Sequence, residues 1–134
     1  MSSATIKAQP APRRIGTWAL QAVVALAFFA AGSAKLAGVA YMVQLFSQIG
    51  VGQWFRIVTG LVEVAGAIAL VSPRLAPLGG LWLAATMFVA TLTHLFVLHT
   101  TPVPAIVLGL LNLVIVYLRR DELASIVRSV AGGA

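Results

Sequence analysis

The chain has 134 residues, 60% of them hydrophobic and 9% charged, whereas roughly a quarter of the residues in a soluble domain are charged. This excludes an ordinary water-soluble domain and makes the bilayer the expected solvent. The formal charge of +6 does not indicate nucleic acid, because the basic residues flank hydrophobic stretches, and the absence of cysteine excludes dithiol chemistry, thiolate metal sites and disulfides.

Residues 1–14 carry Lys7, Pro10, Pro12, Arg13 and Arg14 with no helical period, and read as a flexible cytoplasmic tail. The first hydrophobic run, 15–36, ends among Ala31, Gly32, Ser33 and Ala34, small residues that resemble a signal-peptide cleavage site. It is nevertheless long enough to cross about 30 Å of hydrocarbon, and its removal would leave an odd number of spans. The expectation is a retained first helix.

Residues 39–53 are too apolar for a plain loop. Tyr41, Met42, Leu45, Phe46 and Ile49 recur at helical spacing among Gln44, Ser47 and Gln48, which predicts an interfacial helix covering the outer mouth of the spans or simply joining two helix ends. Further spans follow at 54–71, 75–98 and 102–118, broken by Ser72-Pro73-Arg74 and by His99-Thr100-Thr101-Pro102. In the cytoplasmic tail, 119–134, residues 121–130 form an amphipathic pattern with Leu123, Ile126, Val127 and Val130 on one side.

The expected fold is therefore all-α, an integral membrane four-helix bundle over 15–118. Lys7, Arg13, Arg14, Arg74, Arg119, Arg120 and Arg128 fall on one side of the spans, and Lys35 and Arg56 on the other. By the positive-inside rule both termini are cytoplasmic, as expected for a bacterial inner (plasma) membrane protein. Trp18, Trp54 and Tyr117 lie near span ends, where an aromatic belt forms.

An unpaired charge at a helix centre in hydrocarbon costs at least about 2.5 kcal/mol, so ionisable residues there face the interior and find partners. Glu63 falls near the middle of the second span and shares a face with Arg56, Thr59, Gly60 and Gly66. Gln21, Phe28 and Lys35 repeat every seven residues on the first span, and Met87, Thr91 and His94 share a face of the third. Asn112, beside Gly109, is the comparable residue on the fourth, with helix adhesion as its ordinary role.

Glu63, His94, Lys35 and Arg56 are thus candidates for ligand binding or proton exchange, and Phe28, Thr59, Met87, Thr91 and Asn112 for the lining of a pocket. Two readings stand side by side. The polar set either holds a ligand head group, or forms an ion pair and hydrogen bonds that only fix helix register. His99 reads as a solvated loop residue, and its five-residue spacing from His94 argues against a metal site.

The run Phe28-Phe29-Ala30-Ala31-Gly32-Ser33-Ala34-Lys35-Leu36 resembles the end of the first helix in DoxX-like membrane proteins. Gly60-Leu61-Val62-Glu63 with Gly66-Ala67-Ile68-Ala69-Leu70, and Met87-Phe88-Val89-Ala90 with His94, continue the resemblance over about 15–118. It implies a compact four-helix bundle. For function it points in several directions: quinone-linked oxidation, thiol homeostasis and receptor assembly. A chain without cysteine cannot itself carry a thiol relay.

The expected function is a redox-associated subunit that binds a quinone or another lipophilic small molecule at the Lys/Glu/His cluster, with catalysis undecided. The alternative is a membrane assembly protein with a structural polar core, engaging a membrane protein partner or forming a homo-oligomer. A transporter is less favoured, since four spans without an inverted repeat offer few moving parts.

Overall fold

In the computed structural model, which describes residues 10–133, helix α1 runs over Ala11–Ala37 and starts within the segment expected to be a tail. Pro12 lies in its first turn, where the missing N–H has no intrahelical acceptor to lose, so proline, Arg13 and Arg14 extend the helix below its apolar run. The rest of the expected tail, residues 1–9, lies outside the described residues, as does residue 134.

Helix α1 stops at Gly38, whose φ of 71° is a left-handed conformation that glycine adopts without steric cost. A short helix, α2 (Ala40–Ile49), follows and ends at Gly50, φ 83°. Helix α3 covers Gln53–Leu70. After the Ser72-Pro73-Arg74 turn, α4 runs over Ala76–Thr93 and continues into a π-helical turn, His94–Leu98. Helices α5 (Val103–Leu118) and α6 (Arg120–Gly132) complete the chain, and no strand occurs among the described residues.

Helix α1, helix α3 and the continuous Ala76–Leu98 segment are each long and apolar enough to cross a membrane. Helix α5 has 16 residues, about 24 Å at 1.5 Å per residue, and meets the length requirement only when joined to α6, from which it is bent by 72°. Three helices, or four if the bent pair is one span, are therefore candidates to cross the membrane, with Arg119 at the bend.

Packing follows the small residues. Helix α1 lies against α3, α3 against α4, α4 against α5, and α5 returns to α1. Gln21 reaches Leu70, Gly32 faces Gly60 and Arg56 reaches Lys35, so α1 and α3 run antiparallel. Val24, Phe28, Leu70, Leu83, Met87 and Ile115 form the buried centre. Leu26, Leu61, Phe88, Phe96 and Leu110 point outward and exposed, as expected of side chains solvated by lipid.

Candidate functional site

The site begins at the α1–α3 crossing. A Cβ added at Gly32 would stand 2.9 Å from the Gly60 carbonyl oxygen and 2.8 Å from Val64 Cγ2, so only glycine permits this approach. One turn from each glycine, on the same faces, stand Lys35 and Glu63. Lys35 Nζ donates to both Glu63 oxygens, at 3.1 and 2.9 Å, and both residues are buried, with 8% and 4% of their surface exposed. Close helices thus create the ion pair, and the pair relieves the cost of two charges away from water.

Arg56 is near but differently employed. Its guanidinium donates to the Lys35 main-chain carbonyl, among the last of α1 and otherwise met only by the Gly38 cap N–H at 3.3 Å, and to Gln53 Oε1 at 2.7 Å. It caps α1 from α3 and does not join the carboxylate.

Lys35 and Glu63 lie on the wall of a cavity of about 390 Å³, within the range of small-molecule sites. Its apolar wall includes Phe28, Phe55 and Met87, with Leu45, Phe46 and Ile49 contributed by α2. Phe46 is buried and meets Phe55 edge to face at 5.7 Å between ring centroids. The segment expected to be an interfacial helix is therefore a helix that covers this cavity.

His94 lines the same cavity, but its hydrogen-bond partner is neither Lys35 nor Glu63. Its Nδ1 lies 2.7 Å from Thr100 Oγ1, and its carbonyl accepts the Thr100 N–H at 2.9 Å. The π-helical turn makes this possible by bringing a residue six positions on back to the imidazole, a relation that α-helical spacing does not reveal. Such turns occur frequently at functional sites. His99, just after it, is exposed, and the described residues hold no group of three metal-ligating side chains.

Of the other candidates, Phe28, Thr59 and Met87 line the cavity. Arg56, Thr91 and Asn112 are not among its lining residues. The Thr91 hydroxyl donates back to the Met87 carbonyl at 2.8 Å, which consumes its proton within its own helix. Asn112 is fully buried on α5, close to Gly80 of α4, and its amide nitrogen donates to the Leu108 carbonyl at 2.8 Å. Its Oδ1 is buried without a hydrogen-bond partner among the described residues.

A second polar cluster, at the other end of α1, was not foreseen. Gln21 Nε2 donates to the Leu70 carbonyl at 2.6 Å, and its Oε1 accepts from Arg119 Nε. Arg119 Nη1 donates to both Glu122 oxygens at 2.8 Å, and the guanidinium lies 4.7 Å from the Trp18 ring centroid. Four helices are tied here through one buried arginine, which by charge counting alone is only a topology signal. The three-residue spacing of Arg119 and Glu122 was the available signal.

The profile of the DoxX-like family matches residues 19–117, which includes Lys35, Glu63 and His94. No curated protein and no solved structure matches the chain.

Proposed function

The chain belongs to the DoxX-like family of membrane proteins, and from that premise we propose that it binds a small lipophilic molecule with a polar head group, a quinone among the candidates, as a redox-associated membrane subunit. The observation that carries this reading is the juxtaposition of a buried ion pair, Lys35–Glu63, with a largely apolar cavity covered by α2. A charged pair that only fixed helix register would gain nothing from an adjoining void. Packing the space with apolar side chains would stabilise the protein more.

In this reading α5 is the fourth span, with α6 turning away at Arg119. The same reading takes both termini as cytoplasmic in a bacterial inner membrane, on the positive-inside excess of Lys and Arg, and so has the cavity in the outer half of the helices. A lipophilic ligand would then reach the cavity from the membrane.

The test is thermal unfolding of the detergent-solubilised protein with a series of short-chain quinones. A quinone should raise the midpoint by several degrees. The shift should vanish in a folded variant with Phe28 enlarged to Trp, which fills the cavity. The absence of a shift with every quinone would sink the quinone reading.

One observation favours a second reading. Lys35 and Glu63 satisfy one another through two hydrogen bonds, as a structural pair in an assembly protein would. That reading predicts a stable complex with a membrane protein partner, or a homo-oligomer, that persists when the cavity is filled.

A further inference from the structure

The polar groups on the cavity wall can be counted, and most are already engaged. The hydroxyl protons of Thr59, Thr86 and Thr93 go to the carbonyls of Phe55, Trp82 and Val89, at 2.8, 2.8 and 2.9 Å. These threonines therefore offer a ligand no donor. The Lys35 ammonium has three N–H groups, and the two Glu63 oxygens take two of them. Arg56, the nearby third charge, is spent on the Lys35 carbonyl and on Gln53, and is not part of the lining. His94 has one ring nitrogen held by Thr100, which leaves Nε2.

The wall is thus close to neutral in formal charge, with Lys35 Nζ and Glu63 Oε2 only 2.9 Å apart. Its remaining donor capacity lies in the third N–H of Lys35 and, depending on tautomer, in His94. A carboxylate ligand would set two anions against the single Lys35 cation in a low-dielectric site, and would have to draw Lys35 away from Glu63. An ammonium ligand would compete with Lys35 for Glu63. A pure hydrocarbon would leave the spare N–H buried without an acceptor, which is costly.

From this count we infer that the cavity takes an uncharged lipophile whose head group is a hydrogen-bond acceptor, a carbonyl or ether oxygen placed against Lys35 Nζ. The inference rests on the ligand-binding reading above and narrows it to one class of head group. Lys35 is then a binding residue, and Glu63 a positioning residue that holds the ammonium in place and cancels its charge.

The experiment uses four probes with the same aromatic body: acetylnaphthalene, naphthalene, naphthoate and aminomethylnaphthalene. Each is measured by equilibrium dialysis against the full chain in nanodiscs, with empty nanodiscs subtracted. Acetylnaphthalene should bind about tenfold or more tightly than the other three, the gain expected of one hydrogen bond to a charged donor. In the double variant K35M/E63M, checked by circular dichroism, naphthalene should still bind and the preference for the ketone should fall to about twofold or less.

Naphthoate or aminomethylnaphthalene binding as tightly as the ketone would overturn this inference alone. So would equal binding of acetylnaphthalene and naphthalene, or a ketone preference that survives in the double variant. Binding of none of the four would overturn it together with the ligand-binding reading. The wild-type ranking decides the matter even if the double variant does not fold.

Discussion

Gly32 of α1 and Gly60 of α3 lie back to back: a Cβ on either would come within 3.0 Å of the other's carbonyl oxygen. Lys35 lies one turn beyond this contact on α1 and Glu63 one turn beyond it on the antiparallel α3, so the contact sets the separation across which the lysine reaches back to the carboxylate. Glycine therefore belongs to the site even though it carries no chemistry.

Substituting Gly32 should loosen that grip. Gly32→Ala is expected to destabilise by about 1–3 kcal/mol through overpacking, and Gly32→Leu by more. Gly16 lies on the same helix with nothing within 4 Å of an added Cβ. Gly16→Ala should be neutral or stabilising by up to about 1 kcal/mol, since alanine is the better helix former. Thermal unfolding in detergent distinguishes the two sites, and equal effects would refute the close-contact account.

Breaking the ion pair from one side should cost more than removing it. Lys35→Met leaves the Glu63 carboxylate buried alone and is expected to lose about 3–5 kcal/mol, whereas K35M/E63M should recover most of that loss. A complete cycle of single and double variants, followed by reversible unfolding, reads the coupling directly. Additive losses would mean that the two side chains do not act as a pair.

His94 and Thr100 should behave as a coupled unit that closes the π-helical turn. Thr100→Val removes the hydroxyl at nearly constant volume and should cost about 0.5–1.5 kcal/mol. In a His94→Ala background the same change should cost almost nothing. If Thr100→Val were equally costly in both backgrounds, the 2.7 Å contact would have no energetic role.

Two adjacent arginines at the α5–α6 bend should differ sharply. Arg119 is 7% exposed and holds Gln21, Glu122 and the Trp18 face. Arg120 is exposed and, among the described residues, contacts the Tyr117 carbonyl and ring. Arg119→Met should cost about 3 kcal/mol or more, and Arg120→Met about 0.5 kcal/mol or less. Comparable losses would argue against a network centred on Arg119.

The absence of cysteine allows topology to be read by single introduced thiols. In intact spheroplasts a membrane-impermeant maleimide should label Gln48→Cys on the exposed side of α2 and should spare Ser129→Cys on α6 until the membrane is opened. Labelling of both before lysis would exclude the proposed orientation, and labelling of neither would place α2 inside the membrane.

Sequence by itself determined the solvent and the helices. Long apolar runs interrupted at Pro73 and Pro102 set the element boundaries to within a few residues, and the period of Gln21, Phe28 and Lys35 identified the buried face of α1. These are local properties, because helix formation and the cost of charge in lipid act over a few residues. The apolar run over 102–118 is α5, Val103–Leu118, but nothing in its pattern foretells the 72° bend into α6 that follows it.

Tertiary structure alone decided the partners. Lys35, Glu63 and His94 were equally available in the sequence, yet Lys35 pairs with Glu63 because the Gly32–Gly60 contact sets the register of α1 against α3. His94 turns to Thr100 because a π-helical turn changes the spacing. Arg119 is drawn from the surface by Gln21, 98 residues away. Periodicity tells which face of a helix is inward. Which inward groups meet depends on how closely, and at what height, two helices cross.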